Sequence, residues 1–182
     1  MRRLMPIALL LALPLCAGCG NRSLILTVDI LSFMDSSSRT LAYGPIPLGF
    51  PVDTVDVFSD SLNLLQGVGD VTQVASASLK IGAQFDNATG AADARFLVYI
   101  SSADSTDPFT TTPVADIPVQ LFPGQITTVN TEIASSPALA DALTHDKAKV
   151  GVQLIFSGTS FPIQGVETLT QLTAIVVTKK DF

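Results

Sequence analysis

The sequence predicts an all-β domain, a single antiparallel β-sandwich of about eight strands with one short helix near residues 137–145. Three observations carry this. Apolar residues recur with a period of two over most of the chain after Ser23, clusters of Gly, Pro, Asn and Asp separate those runs, and no strand–helix–strand rhythm is present to build a parallel sheet. A small closed β-barrel satisfies the same observations and stands as the alternative.

Taken in order, the strand candidates are residues 24–33, 52–58, 71–85, 94–101, 117–121, 126–133, 149–157 and 166–178. The clearest is VTQVASASLKIGAQF at 71–85. Its odd positions read Val, Gln, Ala, Ala, Leu, Ile, Ala, Phe and its even ones are mostly polar, so one face is buried and one is wet. Three of the inward residues are alanines, and whatever covers them must approach closely. DNATGAAD, residues 86–93, reads as a longer hairpin loop between two strong strands. Pro118 lies within a strand pattern and argues for an edge position, since proline cannot donate to a ladder on its second side. Phe122-Pro123-Gly124-Gln125 puts Pro-Gly where a type II turn needs it, which predicts a hairpin between the flanking strands. In SSPALADALTHDK, Ser136 is a good N-cap and Pro137 falls at the first helical position, where its missing N–H costs nothing. Leu139 and Leu143 then form a small apolar stripe that can lie on the sandwich. Residues 35–51, with Pro47 and Pro51, read as a loop or an irregular edge crossing.

No composition shift, repeat or low-complexity run marks a second domain, so residues 24–182 form one domain, immunoglobulin-like in general architecture. Ahead of it, Arg2 and Arg3 precede an apolar run at 4–15 that is broken by Pro6 and Pro14. As a helix this run would span about 18 Å, short of the ~30 Å hydrocarbon core. A positive start, a short apolar stretch and then small residues is the layout of an export signal.

Both cysteines of the chain end that segment. A redox pair would open a helix after a strand, and a zinc site needs about four ligands. The rest of the chain offers one histidine and no cysteine. Cys16-Ala17-Gly18-Cys19 instead resembles the lipobox of bacterial lipoproteins, usually Leu-Ala/Ser-Gly/Ala-Cys, with Cys16 standing where Leu is common. The resemblance covers residues 1–19 and implies that Cys19 is lipidated and becomes the new amino terminus. Residues 20–23 would be a short tether, and the domain would sit close to the headgroups. The resemblance implies an exported protein held at the membrane by lipid. Its place is the outer membrane, on the periplasmic or surface face, in a Gram-negative cell, and the outer face of the cytoplasmic membrane otherwise. Gly20, where Asp would argue for retention, leaves outer-membrane sorting open.

Charge excludes one class of partner. Only 14% of residues are charged, all 16 acids follow Cys19, and eight of the ten Lys/Arg do, so the domain is strongly acidic. It repels phosphate backbones, and nucleic-acid binding is not expected. No catalytic residue and no cofactor site is expected either. His145 reads as a surface residue at a helix end, no serine sits in Gly-x-Ser-x-Gly, and no Gly-rich phosphate loop is present. Paired carboxylates could serve a glycosidase, but the chain has no Trp and only two Tyr to grip a sugar substrate. Calcium is the one metal to weigh, because Asp outnumbers Glu by 14 to 2. Its candidates are Asp86, Asn87 and Asp93 in one loop and Asp104 and Asp107 in another, although Asp is equally at home in turns as a partner for nearby N–H groups.

The expected function is therefore a lipid-anchored, non-catalytic binding or assembly module of the cell envelope, meeting a protein partner through a sheet edge or through loops. A small-ligand carrier for lipid or sugar is the alternative, with Ile81, Phe85, Phe96 and Phe156 lining an internal cavity. A small envelope hydrolase is a third reading.

Overall fold

A computed structural model describes residues 22–46, 53–63, 73–144, 147–157 and 162–180. Its strands are β1 (Arg22–Asp29), β2 (Thr40–Ile46), β3 (Asp53–Phe58), β4 (Gln73–Thr89), β5 (Ala92–Ser102), β6 (Ala115–Leu121), β7 (Gln125–Ile133), β8 (Ala148–Ser157) and β9 (Ile163–Lys180), with one helix, α1 (Pro137–Ala142). Two antiparallel sheets result. One runs β1-β9-β4-β7, with β2 also on β9, and the other runs β3-β8-β5-β6. The sandwich is open: β1, β2 and β7 bound one sheet, β3 and β6 the other, and the closed-barrel alternative is not what forms. From β2 to β9, successive strands switch sheets except that β5 and β6 share one, the connectivity of a jelly roll, so the immunoglobulin likeness holds for the layering and not for the strand order.

That connectivity overturns both expected hairpins. The 86–93 segment is mostly strand, and β4 and β5 meet at a tight corner around Gly90 before entering different sheets. The Phe122–Gln125 turn has the expected chemistry. Gly124 takes φ +67° and the Gln125 N–H donates to the Phe122 carbonyl at 3.3 Å, yet β6 and β7 also belong to opposite sheets. A local turn signal reports the reversal of the chain. It cannot report whether the two arms bond to each other or face each other.

Other differences are smaller. The 24–33 candidate is strand only to Asp29 and then a 3-10 turn, Ile30–Phe33. Within 35–51, residues 40–46 form β2, a ninth strand beside β9 with Leu41, Tyr43 and Ile46 turned inward. The β1–β2 connection is held by the Arg39 guanidinium, whose Nε donates to the Met34 carbonyl at 2.8 Å. Pro47 and Pro51 lie outside the described residues. Pro118 is in β6, at the sheet edge where a missing N–H is harmless. Ser136 caps α1, its Oγ accepting from the Leu139 N–H at 3.2 Å, and Leu139 and Leu143 are fully buried.

The alternation of β4 holds from Ala77 to Phe85, but Ala75 is exposed and Val74 is half-buried against the core. Ala75 is an extra residue: Val74 pairs with Thr178 and Ser76 with Val177, and this bulge reverses which side faces inward. The same device acts on β9. Ile163, Gly165, Glu167 and Leu169 point inward before Thr170, and Leu172, Ala174, Val176 and Thr178 do so after it. The close approach demanded by the alanines is met at Ala77 by α1, whose Ser136 N–H donates to the Ala77 carbonyl at 3.2 Å.

Between the sheets, rings fill the interior. Phe85 meets Phe96 edge-on at 5.5 Å between centroids, and Tyr43 lies 5.1 Å from Phe156. Each contact of this kind adds about 0.5–1.5 kcal/mol beyond its area burial. The residues expected to line a carrier's cavity thus fill the space with their own side chains. Among the described residues, no helix is long and apolar enough to cross a membrane.

Gly165 sits where a Cβ would strike both the Tyr43 hydroxyl and the Asp86 carbonyl. Gly165→Ala is expected to lower unfolding free energy by about 2–3 kcal/mol, a fall of roughly 4–12 °C in melting temperature. Gly124→Ala, with no atom within 4 Å of the new methyl, should cost only about 1 kcal/mol of left-handed strain. Denaturant titration of the two variants checks the difference.

Candidate functional site

Among the described residues, the acidic candidates are not brought into one cluster. Asp86 and Asp93 are exposed positions on β4 and β5, in different sheets. Asn87 points the other way and is fully buried. Its Nδ2 donates to the Gly90 carbonyl at 2.7 Å, its Oδ1 accepts from the Tyr43 hydroxyl at 3.4 Å, and its backbone carbonyl accepts from the Gly124 N–H at 2.8 Å. It fastens the corner where β4 passes to β5 and β6 to β7. Asp107 caps the short turn Pro108–Thr110, its Oδ1 accepting from the Phe109 N–H at 2.9 Å, and Asp104 is exposed beside it. Among the described residues, no group of three or more His, Cys, Asp or Glu is placed to hold a metal ion. Cys16, Cys19 and His145 lie outside the described residues.

Beside Asn87, the core contains a carboxyl group. Glu167 follows the inward phase of β9, with Leu41 opposite it on one side and Phe85 on the other. It is fully buried, and neither carboxylate oxygen has a hydrogen-bond partner. Burial alone pushes its pKa up to about 8, so near neutral pH it is largely the uncharged acid. Burial, followed by the charges of Asp86 and Glu167, also holds the Tyr43 phenol well above its usual range. This pair is not poised for proton transfer with solvent. It is a polar inclusion of the core whose cost grows as the pH rises.

The more accessible chemistry lies on the outer face of the β3-β8-β5-β6 sheet. Odd-numbered residues of β5 face outward there, and Leu97, Tyr99 and Ser101 are nonetheless buried. The segment after β5 folds back over this face, and Phe109 packs edge-on against Tyr99 at 5.2 Å and takes the space a side chain at Gly151 would need. Lys149 anchors the segment, its Nζ donating to the Ser105 carbonyl at 2.7 Å. Along the same face, the Tyr99 hydroxyl donates to Gln153 Oε1 at 3.0 Å, Arg95 pairs with Asp116, and Gln120 Nε2 donates to Asp93 Oδ1 at 3.3 Å.

At the end of this face a cleft of about 410 Å³ opens between residues 100–102 of β5, Ser105, Thr111 and Thr112 of the folded-back segment, and Asp141 and Ala142 of α1. Ser101 is 4% exposed, lines the cleft, and its Oγ has no partner. The sequence reading missed this place. Ser101-Ser102 and the threonine run at 110–112 look like ordinary strand-end and turn residues until the chain brings them together. Glu167 carried a fainter signal, being one of two glutamates and in step with Leu169.

No protein-family model matches the chain. No curated protein matches it either. Among solved structures, one of infectious bursal disease virus, Gx strain, matches over 87% of this chain and 36% of its own, at 13% identity and a TM-score of 0.41. The chain thus spans about a third of the viral protein's length. The N-terminal cellulose-binding domain of Cellulomonas fimi β-1,4-glucanase C matches over 83% of this chain and 93% of its own, at 18% identity and a TM-score of 0.32. A CBM4 structure matches over 76% of this chain and 89% of its own, at 15% identity and a TM-score of 0.27. Likenesses of this size say nothing about ligand or activity.

Two outcomes follow from the acidic groups. Because the folded pKa of Glu167 lies above its ordinary 4.5, the native state holds a proton that the unfolded chain has released. The stability that Glu167 contributes is then fully present below pH 4.5, falls as the pH rises toward 8, and levels off above it, a loss on the order of a few kcal/mol. Glu167→Gln should flatten that slope in urea midpoints taken at pH 5 and pH 8. For the aspartates, the melting temperature should be unmoved by millimolar Ca²⁺ or by a chelator; a rise with Ca²⁺ would restore the acidic loops as a site.

Proposed function

We propose that this chain is a lipid-anchored, non-catalytic binding module of the bacterial cell envelope. The observation that carries the reading is the end of the sandwich where β1 begins and β9 finishes. Arg22 stands three residues after the lipobox-like Cys19, so almost no free chain separates the anchor from the first strand. In the ladder, Arg22 is opposite Lys180 and Ser23 is opposite Lys179. Three of the eight Lys/Arg that follow Cys19 therefore fall in one narrow band of an otherwise acidic domain. Next to them Leu24 is 44% exposed and Ile25 67% exposed. Basic and apolar residues together suit an interface with headgroups, and lipoprotein modification adds more than one acyl chain, enough for stable anchoring where a single chain is marginal. The module reading draws on the rest of the surface: an unclosed sandwich with a partly covered outer face and a cleft gives a partner or ligand somewhere to bind, while the interior is occupied by its own side chains.

Metabolic labelling with a palmitate analogue tests the anchor. The wild type should take the tag, Cys16→Ser should keep it, and Cys19→Ser should lose it. A tag that follows Cys16, or that never forms, would overturn the reading.

A further inference from the structure

We infer that the cleft between the end of β5, the folded-back segment and α1 is a binding site for an uncharged saccharide. This deepens the binding-module reading by naming the ligand class. Four observations lead to it. The first is Ser101: a buried hydroxyl without a partner is destabilising, so its persistence at the wall of a cleft marks a place where a ligand's polar group completes it. The second is the chemistry of the polar part of the wall, which is chiefly hydroxyl. Ser105 Oγ donates to the Asp107 carbonyl at 2.8 Å and Thr111 Oγ1 donates to the Pro108 carbonyl at 2.8 Å. Their protons are thereby committed, and what they offer a ligand is oxygen lone pairs, the complement of a ligand rich in O–H donors.

The third is charge. Asp141 is the one charged residue among those lining the cleft, and an acidic wall disfavours phosphate, sulfate and carboxylate ligands. Ile100 and Ala142 supply an apolar floor, which suits the C–H face of a sugar ring. The fourth is size. About 410 Å³ lies within the ~300–1,000 Å³ typical of small-molecule sites. The cleft is at the end of the sandwich that β1 enters, since α1 bonds to Ala77 near the start of β4. The same sugar chemistry could therefore arrive as a free oligosaccharide or as the headgroup of a glycolipid.

The test uses the full chain purified in detergent, with amide signals of Ser101 and Ser102 followed by NMR. Glucose, galactose, N-acetylglucosamine and their disaccharides form one series, and vesicles containing a neutral glycolipid the other. Saturable shifts at Ser101 with at least one sugar are expected. Ser101→Ala should weaken binding roughly three- to tenfold while leaving melting temperature without sugar unchanged or higher. Ser101→Leu, which fills the cleft wall, should abolish binding. Response to glycolipid vesicles alone assigns the ligand to a membrane headgroup, and response to soluble sugars assigns it to free glycan. No saturable shift in either series, or undiminished binding by Ser101→Ala, overturns the site. Sugar binding by a protein that takes no palmitate label would sink the anchor and leave the site standing.

Discussion

The pairing of β4 with β9 is the constraint on which the rest of the molecule depends. These strands run 17 and 18 residues and bond along almost their whole length. Every other strand of their sheet is attached to one of them, β1 and β2 to the free side of β9 and β7 to the free side of β4. Because side chains alternate with a period of two, a ladder this long must keep its apolar residues on one face while the strands twist. Bulges at Ala75, Thr170 and Ala88 do this by inserting one unpaired residue and exchanging the faces beyond it. Without the bulge at Thr170, a face carrying Leu169 would go on to carry Gln171 and Thr173 in place of Leu172 and Ala174.

The same ladder explains the polar corner. Asn87 and Gly165 are paired neighbours at the end where β4 passes to β5 and β6 to β7, and Tyr43 reaches over Gly165 to Asn87 from β2. Asn87 satisfies backbone groups that a reversal would otherwise leave bare. Glu167, one inward step along β9, has no such partner and is kept neutral by its surroundings. One amide stabilises the corner, and one acid makes its stability depend on pH.

The proposed anchor and the proposed binding cleft share the other end. There the chain enters from the proposed anchor, the basic positions of β1 and β9 lie together in the ladder, and α1 crosses to make one wall of the cleft. With the chain anchored as proposed, a cleft on that side would lie within a short distance of the headgroups.

What the sequence determined by itself was local. Strand existence, the Ser136 cap with Pro137, the left-handed Gly124 and the edge position of Pro118 are each written within a few residues, because propensity, capping and turn geometry act over that range. Even β2 has a readable Leu41–Tyr43 alternation, obscured by Gly44-Pro45. Tertiary structure decided what needs partners far apart in the chain: that the arms of two well-formed turns enter opposite sheets, that bulges exchange faces mid-strand, that Asn87 turns inward while Asp86 and Asp93 separate, and that Ser101 ends unpaired in a cleft. Register and sheet membership are set by burying all the apolar faces at once. No short window of sequence contains that balance.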